Sequence, residues 1–186
     1  MKYYLVALLD KDSQEIIETM QKSICQKYRL YKNIPMLHIT LEILDDPDIN
    51  YLTEVLSDVL KHYKKFRAEV SGVICFDPPY KSVNLKVENK GYIYRLIKAV
   101  NSTLKARGFK VREEIENWDI HISLANTNYA IREWTNNEYN MACETTKDEG
   151  FYKLVKIEKV ELWKPINNKK EMVVKSFPLR DSSILG

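Results

Sequence analysis

The fold of this chain is decided by residues 37–41, which read LHITL, because the chain repeats them almost unchanged at residues 120–124, which read IHISL. Each copy places a histidine and a hydroxyl residue two positions apart inside an apolar run. Successive side chains of a β-strand point to opposite faces, so the histidine and the hydroxyl share one face and the apolar residues share the other. The residues on the two polar faces are His38, Thr40, His121 and Ser123.

An imidazole beside a hydroxyl, supplied twice, suits an in-line displacement at phosphorus. The two imidazoles can act as base and acid, since their ordinary pKa of about 6.5 allows one neutral and one charged ring near neutral pH. The two hydroxyls can hold the non-bridging oxygens. One strand histidine alone is usually a hydrogen-bonded, half-buried residue, but two matching copies favour a functional site. The third histidine, His62, lies near the end of a predicted helix, where a cation suits the helix terminus.

Length and composition indicate a soluble globular protein. The chain has 186 residues, of which 45% are hydrophobic and 30% are charged, and this predicts one or at most two compact domains. A net charge of +3 permits a phosphate-bearing ligand but does not by itself predict nucleic-acid binding. The apolar run at the N-terminus is too short for a membrane span and lacks a cleavage site, so we interpret it as a buried first strand of a cytoplasmic protein.

The cysteines give no sign of a metal site. They are odd in number, far apart in the sequence, and form neither a C-x-x-C pair nor a cluster with histidine. A reducing compartment and no zinc site are the expectations. The three residues are Cys25, Cys75 and Cys143.

Hydrophobic periodicity predicts an alternation of strands and helices. Asp12, followed by Glu15, predicts a capping box at the start of the first helix, and Gly72 suggests a bulge within a strand. Residues 128–150 have a weak pattern, so we expect a long loop with at most a short helix at 131–134. The predicted strands cover 3–9, 36–44, 67–76, 82–87, 119–126, 155–163 and 171–177. The predicted helices cover about 12–28, 49–63 and 93–107.

This order predicts an α+β fold made by duplication of strand-helix-strand units. We expect one domain over residues 1–186, with two pseudo-symmetric lobes over about 1–76 and 77–186 and strands able to exchange between them. Antiparallel-rich sheets would line a central cleft with helices outside, and the two polar strand faces would meet in that cleft. The alternative is two unrelated strands that each carry a histidine.

The paired H-x-[ST] strands resemble those of the two-histidine (2H) phosphoesterase superfamily, particularly the branch with RNA 2′,3′-cyclic phosphodiesterases and 2′-5′ RNA ligases. The resemblance covers most of the chain and depends on the order and spacing of short motifs. These motifs are PMLHITL at 35–41, the strand at 81–87, IHISL at 120–124, VELWK at 160–164 and FPL at 177–179.

The resemblance implies a metal-independent phosphodiesterase that opens 2′,3′-cyclic phosphates of RNA ends or nucleotides, without a cofactor and as a monomer. One of His38 and His121 would take a proton from the attacking water or hydroxyl while the other protonates the leaving ribose oxygen. Thr40 and Ser123 would hold the phosphoryl oxygens. The sequence leaves open which histidine has which role.

Four further residues are weaker candidates. Lys81 could contact phosphate, Tyr80 or Trp118 could stack on a base, and Asp119 shares a strand face with His121 and could orient a neighbouring group. For each of them an ordinary structural or solvated role is the competing interpretation.

Other functions also stay open at this point. The cleft could belong to a non-catalytic module that binds RNA ends or nucleotides, or to a 2′-5′ oligonucleotide phosphodiesterase or ligase. A divalent-metal site that uses the two histidines is a further alternative, although it lacks the nearby carboxylate or thiolate ligands that such sites normally recruit.

Overall fold

The computed structural model describes residues 1–181, so residues 182–186 of the predicted domain lie outside the described residues. Residues 1–181 form an α+β fold, as predicted, with the seven predicted strands and with four helices, one more than predicted. The strands are β1 (Lys2–Leu9), β2 (Ile39–Asp45), β3 (Phe66–Phe76), β4 (Ser82–Val87), β5 (His121–Ala125), β6 (Tyr152–Trp163) and β7 (Val173–Pro178). The helices are α1 (Lys11–Lys27), α2 (Ile49–Leu60), α3 (Gly91–Ala106) and α4 (Asn136–Glu149).

The strands form a single antiparallel sheet in the order β1-β2-β5-β4-β3-β6-β7. An additional pairing of β1 with β6 closes six of these strands into a ring, with β7 on the outside of β6. Strand β6 is long enough to pair with two different strands of the ring. It pairs with β3 through residues 152–157 and with β1 through residues 157–163.

Two pairings join strands on either side of the predicted lobe boundary. Strand β3 pairs with β4, and β6 pairs with β1. The two histidine-bearing strands, β2 and β5, meet at one antiparallel contact, which joins Ile39 to Ile122. The lobe boundary near residue 76 stays a prediction.

The helices cover the face of the sheet that carries Ile39 and Ile122. Both isoleucines are fully buried in the main core, together with apolar residues from all four helices. The opposite face carries a smaller apolar cluster made by Val6, Leu8 and Trp163 with Met172. The polar face of the histidine strands is therefore the face that the helices leave free.

Two helix starts differ from the sequence prediction. Helix α1 is capped by Asp10, whose side chain accepts from the backbone N–H of Ser13 at 3.0 Å, and not by Asp12. The prediction of a loop over 128–150 with a short helix at 131–134 is wrong, because α4 occupies 136–149. A capping box between Thr135 and Glu138 begins this helix.

Two further features concern β3. The predicted bulge is confirmed, because the register with β4 shifts between Val70 and Val73. Gly72, within this shift, has a φ of 89°, a backbone angle that residues with a side chain rarely adopt. Cys75 near the end of β3 is bonded to Cys143 of α4, although 68 residues separate them. This disulfide does not support the reducing compartment that the spacing of the cysteines predicted. Cysteines that are far apart in the sequence can still pair here, because folding brings α4 against β3.

Within residues 1–181, none of the helices has the length and apolar character needed to cross a membrane.

Candidate active site

The contact between β2 and β5 brings the two H-x-[ST] motifs together. Residues that face each other across an antiparallel pair point to the same side, and neighbours along each strand point to the other side. Since Ile39 and Ile122 are paired and buried, the polar residues on either side of them share the opposite face. The register sets His38 across from Ser123, and Thr40 across from His121.

Both imidazoles are held by the same backbone contact. Nδ1 of His38 lies 2.8 Å from the carbonyl oxygen of Met36, and Nδ1 of His121 lies 2.8 Å from the carbonyl oxygen of Asp119. A carbonyl only accepts, so Nδ1 carries the hydrogen in each ring and donates it. Each ring therefore keeps Nε2 for a ligand, as an acceptor when neutral and as a donor when protonated.

Each imidazole also packs against one aromatic ring at the end of another strand. The rings of His38 and Trp163, the last residue of β6, have centroids 4.7 Å apart. The rings of His121 and Phe76, the last residue of β3, have centroids 5.0 Å apart. The Trp163 indole is itself fixed, since its Nε1 donates to the buried carboxylate of Glu161 at 2.9 Å. These contacts restrict both imidazoles before any ligand binds.

The surroundings lower the pKa of both histidines below their ordinary range. For His38 the main cause is burial, with a further lowering by the charge of His121 and an opposing effect of the Met36 carbonyl. For His121 the main cause is again burial; the Asp119 carbonyl raises the pKa, and the positive charge of Arg112 lowers it. The charge of one ring thus disfavours protonation of the other. An anionic phosphate between them would favour protonation of one ring.

Strand β4 adds two polar residues that the sequence analysis did not single out. Lys86 pairs with His121 and is exposed, so it presents a cation on the face of the catalytic candidates. Asn84 pairs with Ser123 but is fully buried, and its amide donates to the carbonyl oxygen of Ile74 at 3.0 Å. In the sequence, the alternation of polar and apolar residues along 82–87 was the pattern that could have identified both residues.

The weaker candidates differ in their surroundings. Lys81 is buried, and its Nζ lies 2.9 Å from the carbonyl oxygen of Trp134 and 2.7 Å from the Glu133 carboxylate. Its ammonium is therefore held by partners within the chain. Tyr80 is 68% exposed. Asp119 orients His121 through its backbone carbonyl, whereas its carboxylate is exposed.

Trp118 is already covered on one face. The guanidinium carbon of Arg112 lies 3.1 Å from the centroid of the Trp118 ring, so a base could stack only on another part of this indole. Burial lowers the pKa of Arg112 to about 10, although the Glu42 carboxylate opposes this. Glu42 is fully buried and accepts from the backbone N–H of Arg112 at 3.1 Å and from Asn101 at 2.7 Å.

The remaining histidine is separate from this face. His62 follows α2 and lines a cavity of about 490 Å³ between α2 and α3, with Asp58 and Arg107 among its neighbours. In the part of the chain that is described, histidine, cysteine and carboxylate side chains form no group of three or more that could hold a metal ion.

Comparison with protein families gives one match that covers most of the chain. The family described as "AKAP7 2'5' RNA ligase-like domain" matches residues 3–174. No curated protein matches the sequence.

Solved structures with the same fold cover nearly the whole chain. TT0787 of Thermus thermophilus has a TM-score of 0.68 and 16% identity, over 98% of this chain and 100% of that one. E. coli LigT, solved in complex with 3'-AMP, has a TM-score of 0.61 and 14% identity, over 96% of this chain and 97% of that one. At such identities the likeness concerns the fold.

Proposed function

This chain belongs to the family of AKAP7 2'5' RNA ligase-like domains, and from that premise we propose that it opens 2′,3′-cyclic phosphates of RNA ends or nucleotides. The family confirms the resemblance to the 2H phosphoesterase superfamily and supports an enzyme of the phosphoesterase type. The observation that carries the proposal is the arrangement across β2 and β5. Two imidazoles with free Nε2 atoms alternate there with two hydroxyls on one face.

In the proposed reaction the phosphate lies between His38 and His121. The neutral imidazole accepts a proton from water as the water oxygen bonds to phosphorus. The protonated imidazole gives its proton to the ribose oxygen as the bond from that oxygen to phosphorus breaks, and a phosphomonoester is the product. Thr40 and Ser123 donate hydrogen bonds to the non-bridging oxygens, whose charge increases in the transition state.

The lowered pKa of both histidines fits this cycle. Before the substrate binds, burial favours the neutral form of each ring, so a base is available near neutral pH. The negative phosphate then favours protonation of the other ring, which supplies the acid. Because side chains supply both proton transfers and the oxygen contacts, we expect the activity to survive EDTA.

The test is turnover of a substrate panel by the purified protein. The panel contains nucleoside 2′,3′-cyclic phosphates, RNA with a 2′,3′-cyclic phosphate end, and a 2′-5′-linked oligoadenylate. We expect His38→Ala and His121→Ala each to lower kcat by about 10²–10⁴-fold, the usual contribution of an acid or base. His62→Ala is the matched control and should leave kcat unchanged. Near-wild-type turnover by either of the first two variants would contradict the mechanism.

A 2′-5′ oligonucleotide phosphodiesterase or ligase is the second candidate, favoured by the description of the matching family. The same four groups would act on a 2′-5′ bond. Cleavage or joining of the 2′-5′ oligoadenylate, without turnover of cyclic phosphates, would support this candidate. Binding of 3′-AMP without any turnover would instead indicate a non-catalytic nucleotide-binding module.

We further propose a monomer in the cytoplasm. Light scattering of the purified protein should give the mass of one chain, and fractionation of the source cell should recover the protein with cytoplasmic markers. The disulfide between Cys75 and Cys143 argues against that compartment, because glutathione would keep both residues as thiols there. Thiol labelling in cell extracts therefore tests the location, and an intact disulfide would contradict it.

A further inference from the structure

Asn126 follows directly after β5, and its backbone is fixed independently of its side chain. The hydroxyl of Tyr31 donates to the Asn126 carbonyl oxygen at 2.6 Å and accepts from the Asn126 N–H at 2.9 Å. Burial raises the pKa of Tyr31 to about 12, so the hydroxyl keeps the proton that it donates. A substitution of the Asn126 side chain therefore leaves both backbone contacts in place.

The side-chain amide of Asn126 connects two of its neighbours. Its Oδ1 accepts from the backbone N–H of Asn128 at 2.8 Å, and its Nδ2 donates to Oγ of Ser123 at 2.7 Å. Because a backbone N–H can only donate, the oxygen of the amide must face Asn128 and the nitrogen must face Ser123. Oγ of Ser123 is consequently an acceptor in this contact, and its own proton must point elsewhere.

We propose that Asn126 is a positioning residue that directs the Ser123 hydroxyl proton towards a phosphoryl oxygen in the cleft. The inference rests on the proposed function and adds a residue to it. A free hydroxyl rotates among three staggered positions, and the Asn126 contact excludes those in which the proton would point at the amide. A donor that is already aimed at the transition state does not have to reorient during the reaction.

The position equivalent to Asn126 in the first motif carries no such donor. Three residues after Thr40 the chain carries Ile43, whose side chain cannot donate a hydrogen bond, whereas three residues after Ser123 it carries Asn126. The two hydroxyls are therefore unequal, and the Ser123 hydroxyl is the one whose proton direction is restricted.

The test is a double-mutant cycle between Asn126 and Ser123, with kcat and KM measured on a nucleoside 2′,3′-cyclic phosphate. We expect Asn126→Ala to lower kcat by about three- to tenfold, the effect of one hydrogen bond. In a Ser123→Ala background the same change should alter kcat by less than about twofold, since Asn126 then has no hydroxyl to direct. Asn128→Ala, which removes an exposed amide in the same loop, is the matched control and should behave as wild type.

Asn126→Asp gives a readout that a structural role would not produce. A carboxylate only accepts, so it would draw the Ser123 proton away from the cleft. We expect a larger loss in kcat than for Asn126→Ala at pH 8, with partial recovery as the pH falls and the introduced carboxylate becomes protonated. A loss that is the same at every pH would count against the inference.

A parallel measurement separates this inference from the proposed function. The affinity for 3′-AMP, measured by calorimetry on the same variants, should fall with Asn126→Ala only when Ser123 is present. If wild type turns over no substrate, the proposed function fails while the affinity cycle still tests the positioning. If the losses in kcat caused by Asn126→Ala and Ser123→Ala multiply in the double variant, the positioning role is overturned. The same holds if Asn126→Ala has the kcat and the affinity of wild type.

Discussion

The strands that flank the two histidine-bearing strands differ in polarity at equivalent positions. Across from Thr40, β1 places Val6, whereas across from Ser123, β4 places Asn84. Two residues further along each strand, on the same faces, stand Leu8 and Lys86. The face that carries the two histidines is therefore apolar beside β2, whereas beside β5 it is polar with an exposed cation.

The surroundings of the two imidazoles differ in the same sense. His38 packs against Trp163 within the small apolar cluster, whereas His121 packs against Phe76 and is influenced by the charge of Arg112. The two histidine–hydroxyl pairs are chemically alike, but the residues that surround them differ. We expect a nucleotide to place its base on the apolar side and its further phosphates on the polar side.

The largest expected effect is the loss of one limb of the pH profile when a histidine is removed. In His38→Gln and His121→Gln we expect residual kcat values about 10²–10⁴-fold below wild type. The variant without the base should lose the rise in kcat at low pH, and the variant without the acid should lose the fall at high pH. Measurement of kcat against pH assigns the two roles. Two bell-shaped profiles like that of wild type would contradict a division of roles.

The next effect concerns the cation on the polar side. Lys86→Ala should raise KM for RNA with a cyclic phosphate end by a few fold and leave kcat unchanged, because Lys86 would contact phosphates beyond the reacting one. The rise should be smaller for a mononucleotide and should diminish at high salt. Lys98→Ala, at an exposed lysine of α3, is the matched control. An equal effect of Lys98→Ala, or a loss in kcat with Lys86→Ala, would argue against this contact.

Much of the fold was predictable because its elements have strong periodic patterns. The two H-x-[ST] strands could be recognised from a short-range pattern, and their repetition predicted that they meet. Helix α4 was missed because its buried stripe consists of weakly apolar residues, and three asparagines made 136–140 look like a loop. The buried residues of this stripe are Tyr139, Ala142, Cys143 and Thr146.

The parts of the site that could not be predicted depend on contacts between distant strands or on single hydrogen bonds. Lys86 reaches the site only through the register of β4 against β5, and Trp163 only through the pairing of β6 with β1. Lys81 looked available in the sequence but is buried under Trp134. Asn126 carries no motif, and only its contact with Ser123 identifies it.

A smaller effect should separate the electrostatic surroundings of the two imidazoles. The charge of Arg112 lowers the pKa of His121, so Arg112→Gln should raise that pKa towards its ordinary value. The limb of the pH profile that belongs to His121 should move to higher pH, and the limb of His38 should stay. The shift is partial, because burial is the larger cause and remains. Arg112→Lys keeps the positive charge and should preserve the wild-type pH profile. If Arg112→Gln moved both limbs, the electrostatic surroundings of the two imidazoles would not be separate.

The smallest expected effect is on stability, and it concerns both halves together. Because the pKa of His38 and of His121 is lower in the folded protein than the ordinary value of about 6.5, the unfolded chain binds more protons as the pH falls below that value. The stability that the neutral rings contribute is therefore complete above about pH 6.5 and is lost as the pH falls towards the folded-state pKa.

Thermal unfolding between about pH 7.5 and 5.5 measures this loss, since the two rings should contribute to the fall in Tm over that window. In the His38→Gln/His121→Gln variant the fall in Tm should be smaller than in wild type. Single variants then divide the effect between the apolar and the polar half. If Tm falls by the same amount in the double variant and in wild type, the lowered pKa values of the two histidines make no contribution to stability. The difference between the surroundings of the two histidines would then affect the reaction alone.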